Sequence, residues 1–385
     1  MNYDKFKFLK NSLLFQASLG SKELFHSNIW AWLMEMDNAF INVFFDDFDL
    51  EEFCTTANDK ITVEREKAHR DIIIWLPGKR YLVIENKIKS LPNEEQLKEY
   101  SKDLWENELH KAVFTGIINP FEEDELIVEG EKTVKWHFVN YSKIAKRIRY
   151  VLKNSILFNL PEFSLARAEV EEYCKIIESL NEIISEELNS HRGQLIYSGW
   201  DKLHPLRIYD IFAKTRGSDF MNYIKSRKNE LNSLKDKGFE LGFWQTFNHG
   251  KATLDIRYTN YTKKCKTWFL LGVQIEAEQY RLVAECNKND ENGRDCDTLY
   301  HEMVDFGWFD DSYEKETKKI FNRPTSMEPR DGKKYNSYKN KEDSMTFIYQ
   351  YYDITKDNCG YNELFENIKN DLNKASEIIR KRFLL

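Results

Sequence analysis

Two apolar runs rich in β-branched residues, Asp71–Leu76 and Tyr81–Ile88, flank Pro77-Gly78-Lys79-Arg80. Proline presets a turn dihedral and glycine tolerates the rest, so the spacing predicts an antiparallel hairpin. Side chains alternate faces along a strand, which sends Glu85 and Lys87 to the same side. Asp71 opens the strand whose partner Glu85 nearly ends, so pairing can bring Asp71 across from them. Two carboxylates and an ammonium then share one end of an otherwise apolar hairpin. Buried charges of this kind are costly unless they are paired or bind a metal.

Such a trio suits hydrolysis of a phosphodiester. Asp71 and Glu85 offer hard oxygen ligands for Mg²⁺, which binds through one or two carboxylates and keeps several waters. The ion polarises a phosphoryl oxygen and acidifies water. Lys87 can orient that water and offset charge building in the transition state. The alternative is plainer: Asp71 caps a turn after His69-Arg70, and Glu85 and Lys87 form a surface ion pair. Glu64 and Glu66 precede Asp71 on the neighbouring strand and share a face, where either joins a metal shell or meets solvent.

The surrounding rhythm alternates helices and strands. Residues 22–37 read as a helix capped by Ser21, with Leu24, Phe25, Asn28, Ile29, Trp32 and Leu33 as its buried stripe. Strand-like runs follow at Ile61–Glu66 and in the hairpin, then a helix over Glu94–Glu108, strands at Ala112–Ile118 and Lys135–Val139, and a basic helix at Ile144–Leu152. This order predicts a mixed sheet flanked by helices, closed by a long acidic helix over Leu165–Leu188. The second half carries strand-like runs at Phe239–Phe247, Ala252–Tyr258, Thr267–Ile275 and Arg281–Cys286, a polar loop from Arg323 to Lys341 holding Pro324, Pro329 and Gly332, and a final helix over Tyr361–Phe383. It reads as an α+β domain. The two domains are expected at 1–190 and 191–385.

The pattern of Asp71, then Glu85-Asn86-Lys87 on a hydrophobic strand, resembles the PD-(D/E)XK nuclease superfamily, the fold of many restriction and repair endonucleases. The helix bearing Gln96-Leu97 and Tyr100 and the N-terminal Glu23-x-x-His26-Ser27-Asn28 helix look like a bacterial branch of it. The likeness covers roughly residues 20–120. It implies an α/β fold, a restriction-endonuclease-like mixed sheet flanked by helices, and a Mg²⁺ cofactor for which Mn²⁺ substitutes. By this resemblance the catalytic residues are Asp71, Glu85 and Lys87, with Glu23 as a further acid and Gln96 beside the metal or scissile phosphate. The metal ligands it implies are Asp71, Glu85 and the Asn86 backbone carbonyl. The residue before Asp71 is Arg70, where the family pattern has proline. A role in prokaryotic defence against foreign DNA fits the resemblance.

Charge is split along the chain. Residues 1–190 carry a net −10 and residues 191–385 a net +3, against −7 overall. The protein is therefore not a polycation that coats nucleic acid indiscriminately. The basic helix, with Lys143, Lys146, Arg147, Arg149 and Lys153, is the best candidate for contacting a phosphate backbone, a solvated face being the alternative. In the second half Lys214-Thr215-Arg216, Lys225–Lys228 and Lys263-Lys264-x-Lys266 add cations among Tyr258, Tyr261, Trp268 and Trp244. Stacking on unpaired bases is open to these rings, although most of the 55 aromatic residues must be core.

Other chemistries lack their signatures. There is no phosphate-binding or dinucleotide glycine loop, no Gly-x-Ser-x-Gly turn, and no Cys/His set with zinc spacing. His301-Glu302-Met303-Val304-Asp305 has Asp where a zinc-protease helix needs its second His, and reads as an ordinary helix. No apolar run nears the roughly 20 residues that span a bilayer, and six scattered Cys read as reduced thiols in a cytoplasmic protein. The expectation is a Mg²⁺-dependent phosphodiesterase acting on nucleic acid, DNA first, in the form of a homodimer. A catalytically silent nucleic-acid- or protein-binding module of the same fold is the alternative, and an enzyme acting on nucleotides or modified RNA ends is a third reading.

Overall fold

The computed structural model describes residues 3–18, 22–45, 60–67, 70–76, 80–88, 94–102, 110–119, 124–128, 133–196, 198–234, 238–248, 251–260, 269–287, 295–311, 335–338, 345–354 and 359–384. Ser21, His69, the Pro77-Gly78-Lys79 turn, the end of the Glu94–Glu108 helix, Tyr261, Lys263, Lys264, Lys266, Trp268 and the Pro324–Gly332 segment lie outside them. The chain divides into two compact units, Met1–His191 with Asp201–Phe212, and Arg192–Trp200 with Ala213–Leu385.

The first unit opens with α1 (Tyr3–Asn11), α2 (Leu13–Ser18) and α3 (Lys22–Met36). Next come β1 (Thr62–Lys67), β2 (Arg70–Leu76), β3 (Arg80–Lys87), α4 (Glu94–Lys102), β4 (His110–Gly116), β5 (Glu125–Val128), β6 (Val134–Asn140), α5 (Tyr141–Asn154) and α6 (Ser164–Ser190). The six strands form one mixed sheet in the order β1-β2-β3-β4-β6-β5. β2 and β3 are antiparallel, as the hairpin spacing predicts, whereas β3, β4 and β6 run parallel. A parallel pair needs a crossover, and α4 supplies it between β3 and β4.

Alternation sorts the central strands onto two faces. Ile73, Tyr81, Val83, Ala112, Phe114 and Trp136 pack with Leu97 of α4 in one core. Each such large side chain taken from water contributes about 1.5–3 kcal/mol. Ile72, Ile74, Leu82, Ile84 and Val113 are equally buried, and alternation gives them the opposite face.

The buried stripe of α3 differs from the expected one. His26, Ser27, Trp30, Ala31, Leu33 and Met34 are buried, Leu24, Phe25, Asn28 and Ile29 are half-buried, and Trp32 is 37% exposed. An apolar count misses this because two buried members are polar and bonded: His26 Nδ1 lies 2.9 Å from the Tyr173 hydroxyl, and Ser27 Oγ donates to the Glu23 carbonyl at 3.0 Å.

The second unit holds most of α7 (Tyr209–Ser226), then β7 (Glu240–Asn248), β8 (Lys251–Thr259), β9 (Phe269–Glu276), β10 (Gln279–Asn287), α8 (Cys296–Asp305), β11 (Asn336–Tyr338), β12 (Met345–Asp353) and α9 (Tyr361–Leu384). Its sheet is antiparallel, in the order β11-β12-β10-β9-β8-β7, so the expected meander gains two strands, β12 beside β10 and β11 beside β12, and β11 falls within the stretch expected as a polar loop from Arg323 to Lys341. Residues of α7, α8 and α9 join the core of that sheet, with Tyr258 among them. Tyr258 is buried with its hydroxyl bonded to the Asn232 carbonyl at 2.8 Å, which removes it from any stacking surface, while Trp244 is 42% exposed. His301 stands on α8, whose Glu302 pairs with Arg382 at 2.6 Å. The four described cysteines, 174, 286, 296 and 359, are free thiols. Among the described residues no helix is long and apolar enough to cross a membrane.

Candidate active site

The β2–β3 register pairs Ile72 with Ile84 and Ile74 with Leu82. Continued by one residue it sets Asp71 opposite Glu85, and residues directly opposite share a face. The main-chain N–H of Asn86 donates to Asp71 Oδ2 at 2.6 Å, locking the carboxylate against the end of β3. Lys87 Nζ lies 2.7 Å from Glu85 Oε1, the Glu85 side chain being 2% exposed and that of Lys87 10%. The other Glu85 oxygen, Oε2, is buried and accepts no hydrogen bond among the described residues. The pair is therefore no surface ion pair.

Burial disfavours the charged carboxylates. It pushes Glu85 up to about 7, against the pull of Lys87 and with added repulsion from Asp71 and Glu23. Burial also raises Asp71, opposed by the Asn86 N–H and Lys87 and assisted by Glu23 and Glu66. For Lys87 burial works downward, but the Glu85 charge and hydrogen bond, with Glu23 and Asp71, outweigh it and the ammonium titrates above its ordinary value. A proton is thus held more tightly at every member of the cluster.

Asn86, between Glu85 and Lys87, faces the other side of the sheet and is 0% exposed. Its Nδ2 donates to the Glu23 carbonyl at 2.8 Å and to Ser27 Oγ at 3.0 Å. Its Oδ1 accepts from the Tyr141 hydroxyl and from Thr115 Oγ1, the latter at 3.3 Å. Neither Thr115 nor Tyr141 stands out in sequence, and Ser27 does so only as a member of the Glu23-x-x-His26-Ser27-Asn28 run. The only other trace is an amide inside an apolar strand.

The remaining expected site residues fall into different places. Glu23 lies in the first turn of α3, and its charge reaches Asp71, Glu85 and Lys87. Gln96 on α4 donates to the Tyr100 hydroxyl at 2.6 Å. Arg70 is buried and gives Nη2 to the Tyr100 carbonyl at 2.7 Å. Glu64 is engaged by Lys67 at 2.7 Å and the Trp75 indole at 2.5 Å, which holds it below its ordinary range. Glu66 is exposed at φ +52°, a left-handed conformation, opposite Asp71 by register.

On α5, Lys143 and Lys146 are exposed. Arg147 donates to the Val43 carbonyl at 2.8 Å, and burial lowers it to about 10. Arg149 is ion-paired with Glu171 and Glu178 of α6. Both guanidinium groups therefore bond within the unit, while Lys143, Lys146 and Lys153 are exposed.

Among the described residues no three His, Cys, Asp or Glu side chains group as a ready metal cage. Two carboxylates with main-chain, water and substrate oxygens are an ordinary arrangement for a small hard cation. Searches of curated proteins and of solved structures returned no match. Residues 11–175, the stretch that holds all of these site residues, match the family model of the PD-(D/E)XK nuclease superfamily, which suggests a nuclease.

Proposed function

We infer that the first unit is a divalent-metal-dependent nuclease that hydrolyses phosphodiester bonds of nucleic acid, with DNA as its substrate. The observation that carries this reading is the Glu85 carboxylate. It is buried opposite Asp71, bonded by Lys87 on one oxygen and, among the described residues, unsatisfied on the other. A buried unsatisfied carboxylate oxygen needs an explanation, and a cation supplies one. The donors are hard oxygens without His or Cys, which suits Mg²⁺, with Mn²⁺ as a substitute. Asp71, Glu85 and the Asn86 main-chain carbonyl would hold the ion.

When bound, a divalent cation polarises the phosphoryl oxygen and acidifies water. The chain's own groups do the rest. Glu85 anchors the Lys87 ammonium, which keeps its proton, orients the attacking water and offsets the charge that builds on the phosphoryl group. The Asn86 N–H fixes Asp71, and Glu23 adds negative charge beside it. Lys143 and Lys146 offer cations to backbone phosphates. Residues 1–190 act as the nuclease domain, and residues 191–385 serve substrate recognition, a partner or pairing into a homodimer. A cytoplasmic role in defence against foreign DNA goes with this reading.

The test is incubation with linear, circular and single-stranded DNA and with RNA, in Mg²⁺, Mn²⁺ or EDTA, beside Asp71→Ala and Lys87→Ala. Metal-dependent cleavage lost in both variants is expected. Cleavage that survives both would put the site elsewhere. An inactive wild type that still binds Mn²⁺ would favour a silent module.

A further inference from the structure

We propose that the side chain of Asn86 is a positioning residue: it ties the first turn of α3 to β3 and so sets the Glu23 carboxylate at the Asp71–Glu85–Lys87 site. The inference rests on the nuclease reading above. Alternation turns Asn86 away from Glu85 and Lys87, onto the face of the sheet where α3 and α5 supply its partners.

On that face an aliphatic side chain would serve the strand better than an amide. The amide is nevertheless 0% exposed with its bonding capacity engaged. Nδ2 reaches the Glu23 carbonyl and Ser27 Oγ, and Ser27 Oγ itself donates to that carbonyl, closing a triangle on the first turn of α3. Oδ1 takes the Tyr141 hydroxyl from the first turn of α5 and Thr115 Oγ1 from β4. The same residue's main-chain N–H orients Asp71.

Asn86 thus connects four elements, β2, β4, α3 and α5, to the strand that carries the chemistry. A helix turn held by a buried donor at its carbonyl cannot slide along the sheet without leaving that donor unmet. The position of Glu23 follows from this, and its charge is felt by Asp71, Glu85 and Lys87 alike. Groups that orient a site residue in this way typically change metal affinity or activity on the order of 10- to 100-fold when removed.

The experiment is a double-mutant cycle of Asn86→Ser and Glu23→Gln, read by DNA cleavage and, separately, by Mn²⁺ calorimetry. Each single variant is expected to lower kcat by about tenfold or more with KM little changed, and to weaken Mn²⁺ binding. The double variant should lie within about twofold of the weaker single, because removing the tether matters only through Glu23. Multiplying effects, or a Glu23→Gln enzyme indistinguishable from wild type, would overturn the proposal. Ser27→Ala, which removes one corner of the triangle, carries the same cycle if Asn86→Ser does not fold. A wild type that cleaves nothing sinks the nuclease reading alone, since calorimetry still gives the coupling. A wild type that also binds no Mn²⁺ sinks both.

Discussion

The Asn86 N–H and the Asp71 carboxylate meet at 2.6 Å across the β2–β3 pair. The bond satisfies one carboxylate oxygen without neutralising its charge. Asp71→Asn keeps an oxygen for that N–H and removes a charge that, after burial, helps to raise Glu85. Its melting temperature at neutral pH is therefore expected to match or exceed that of the wild type, while cleavage falls on the order of 100-fold or more. Thermal unfolding and kcat measured together check this. A large fall in melting temperature would mean that the charge itself holds the hairpin end.

Glu85 titrates near 7 when folded, above its ordinary value of 4.5. Between those values the folded chain keeps a proton that the unfolded chain has lost, so this group's contribution to stability declines as pH rises through the window. Above it the penalty is complete, on the order of 3 kcal/mol. Asp71 is raised by burial and works in the same direction. Glu85→Gln should raise the urea midpoint near pH 8 and leave it almost unchanged below about pH 4, under the unfolded value. Mn²⁺ should stabilise the wild type more at the higher pH, because it competes with the proton for the carboxylate. Equal midpoints for wild type and variant near pH 8 would contradict the placement of Glu85.

The strands around the site were readable because their chemistry is local: β-branched runs, a Pro-Gly turn, and charges at the end of an apolar hairpin. Asp71, Glu85 and Lys87 stand out in sequence as charges at the end of an apolar hairpin, and the structure brings the three together. What holds them was not readable. Ser27, Thr115 and Tyr141 come from three other elements and meet Asn86 only once the sheet has formed. The same limit explains the misplaced stripe of α3, where hydrogen bonds bury His26 and Ser27. The edge strand β5, four residues long with Ile127 58% exposed, carries too little pattern to detect. β12 turns Thr346 and Gln350 inward between aromatic residues, so its burial does not follow its apolar pattern, and it lies just past the polar stretch read as a loop. The internal partners of Arg147 and Arg149, which are Val43, Glu171 and Glu178, are distant in sequence and leave no local signal.

Arg70 stands where the family pattern has proline. It is 1% exposed, and Nε and Nη1 have no hydrogen-bond partner among the described residues. Its bond to the Tyr100 carbonyl, the one its side chain makes among them, offsets little of the cost of a buried cation with unmet donors. Arg70→Met fills a similar volume without charge. It should unfold at the same or a higher urea concentration than the wild type, losing about 1 kcal/mol from the bond and regaining more from desolvation. A loss above about 2 kcal/mol would show that the guanidinium is well satisfied after all.

Gly116 lies beside Lys87 in the β3–β4 register. A Cβ there would come within 3.1 Å of the Lys87 carbonyl oxygen and 3.2 Å of that of Ile118, both main-chain atoms. Relief requires the end of β3 to shift by a few tenths of an ångström. Gly116→Ala should fold with a stability loss of about 1 kcal/mol, yet cost roughly tenfold in kcat because Lys87 is displaced. Activity that falls only in step with stability would exclude a positional effect.

Lys143 and Lys146 are exposed on α5, whereas Arg149 on the same helix is held between Glu171 and Glu178. Their variants should separate binding from stability. Lys143→Glu with Lys146→Glu should raise KM for long DNA by roughly tenfold and flatten the salt dependence of binding by about one unit of slope per lysine. A small phosphodiester should be hydrolysed at the wild-type rate, since it has no backbone to contact. Arg149→Ala breaks a half-exposed ion-pair pair worth about 1 kcal/mol or less and should leave KM and the salt slope untouched. Salt titrations of DNA binding for the three proteins decide the matter. An unchanged slope in the lysine variant would move the phosphate contacts off this helix.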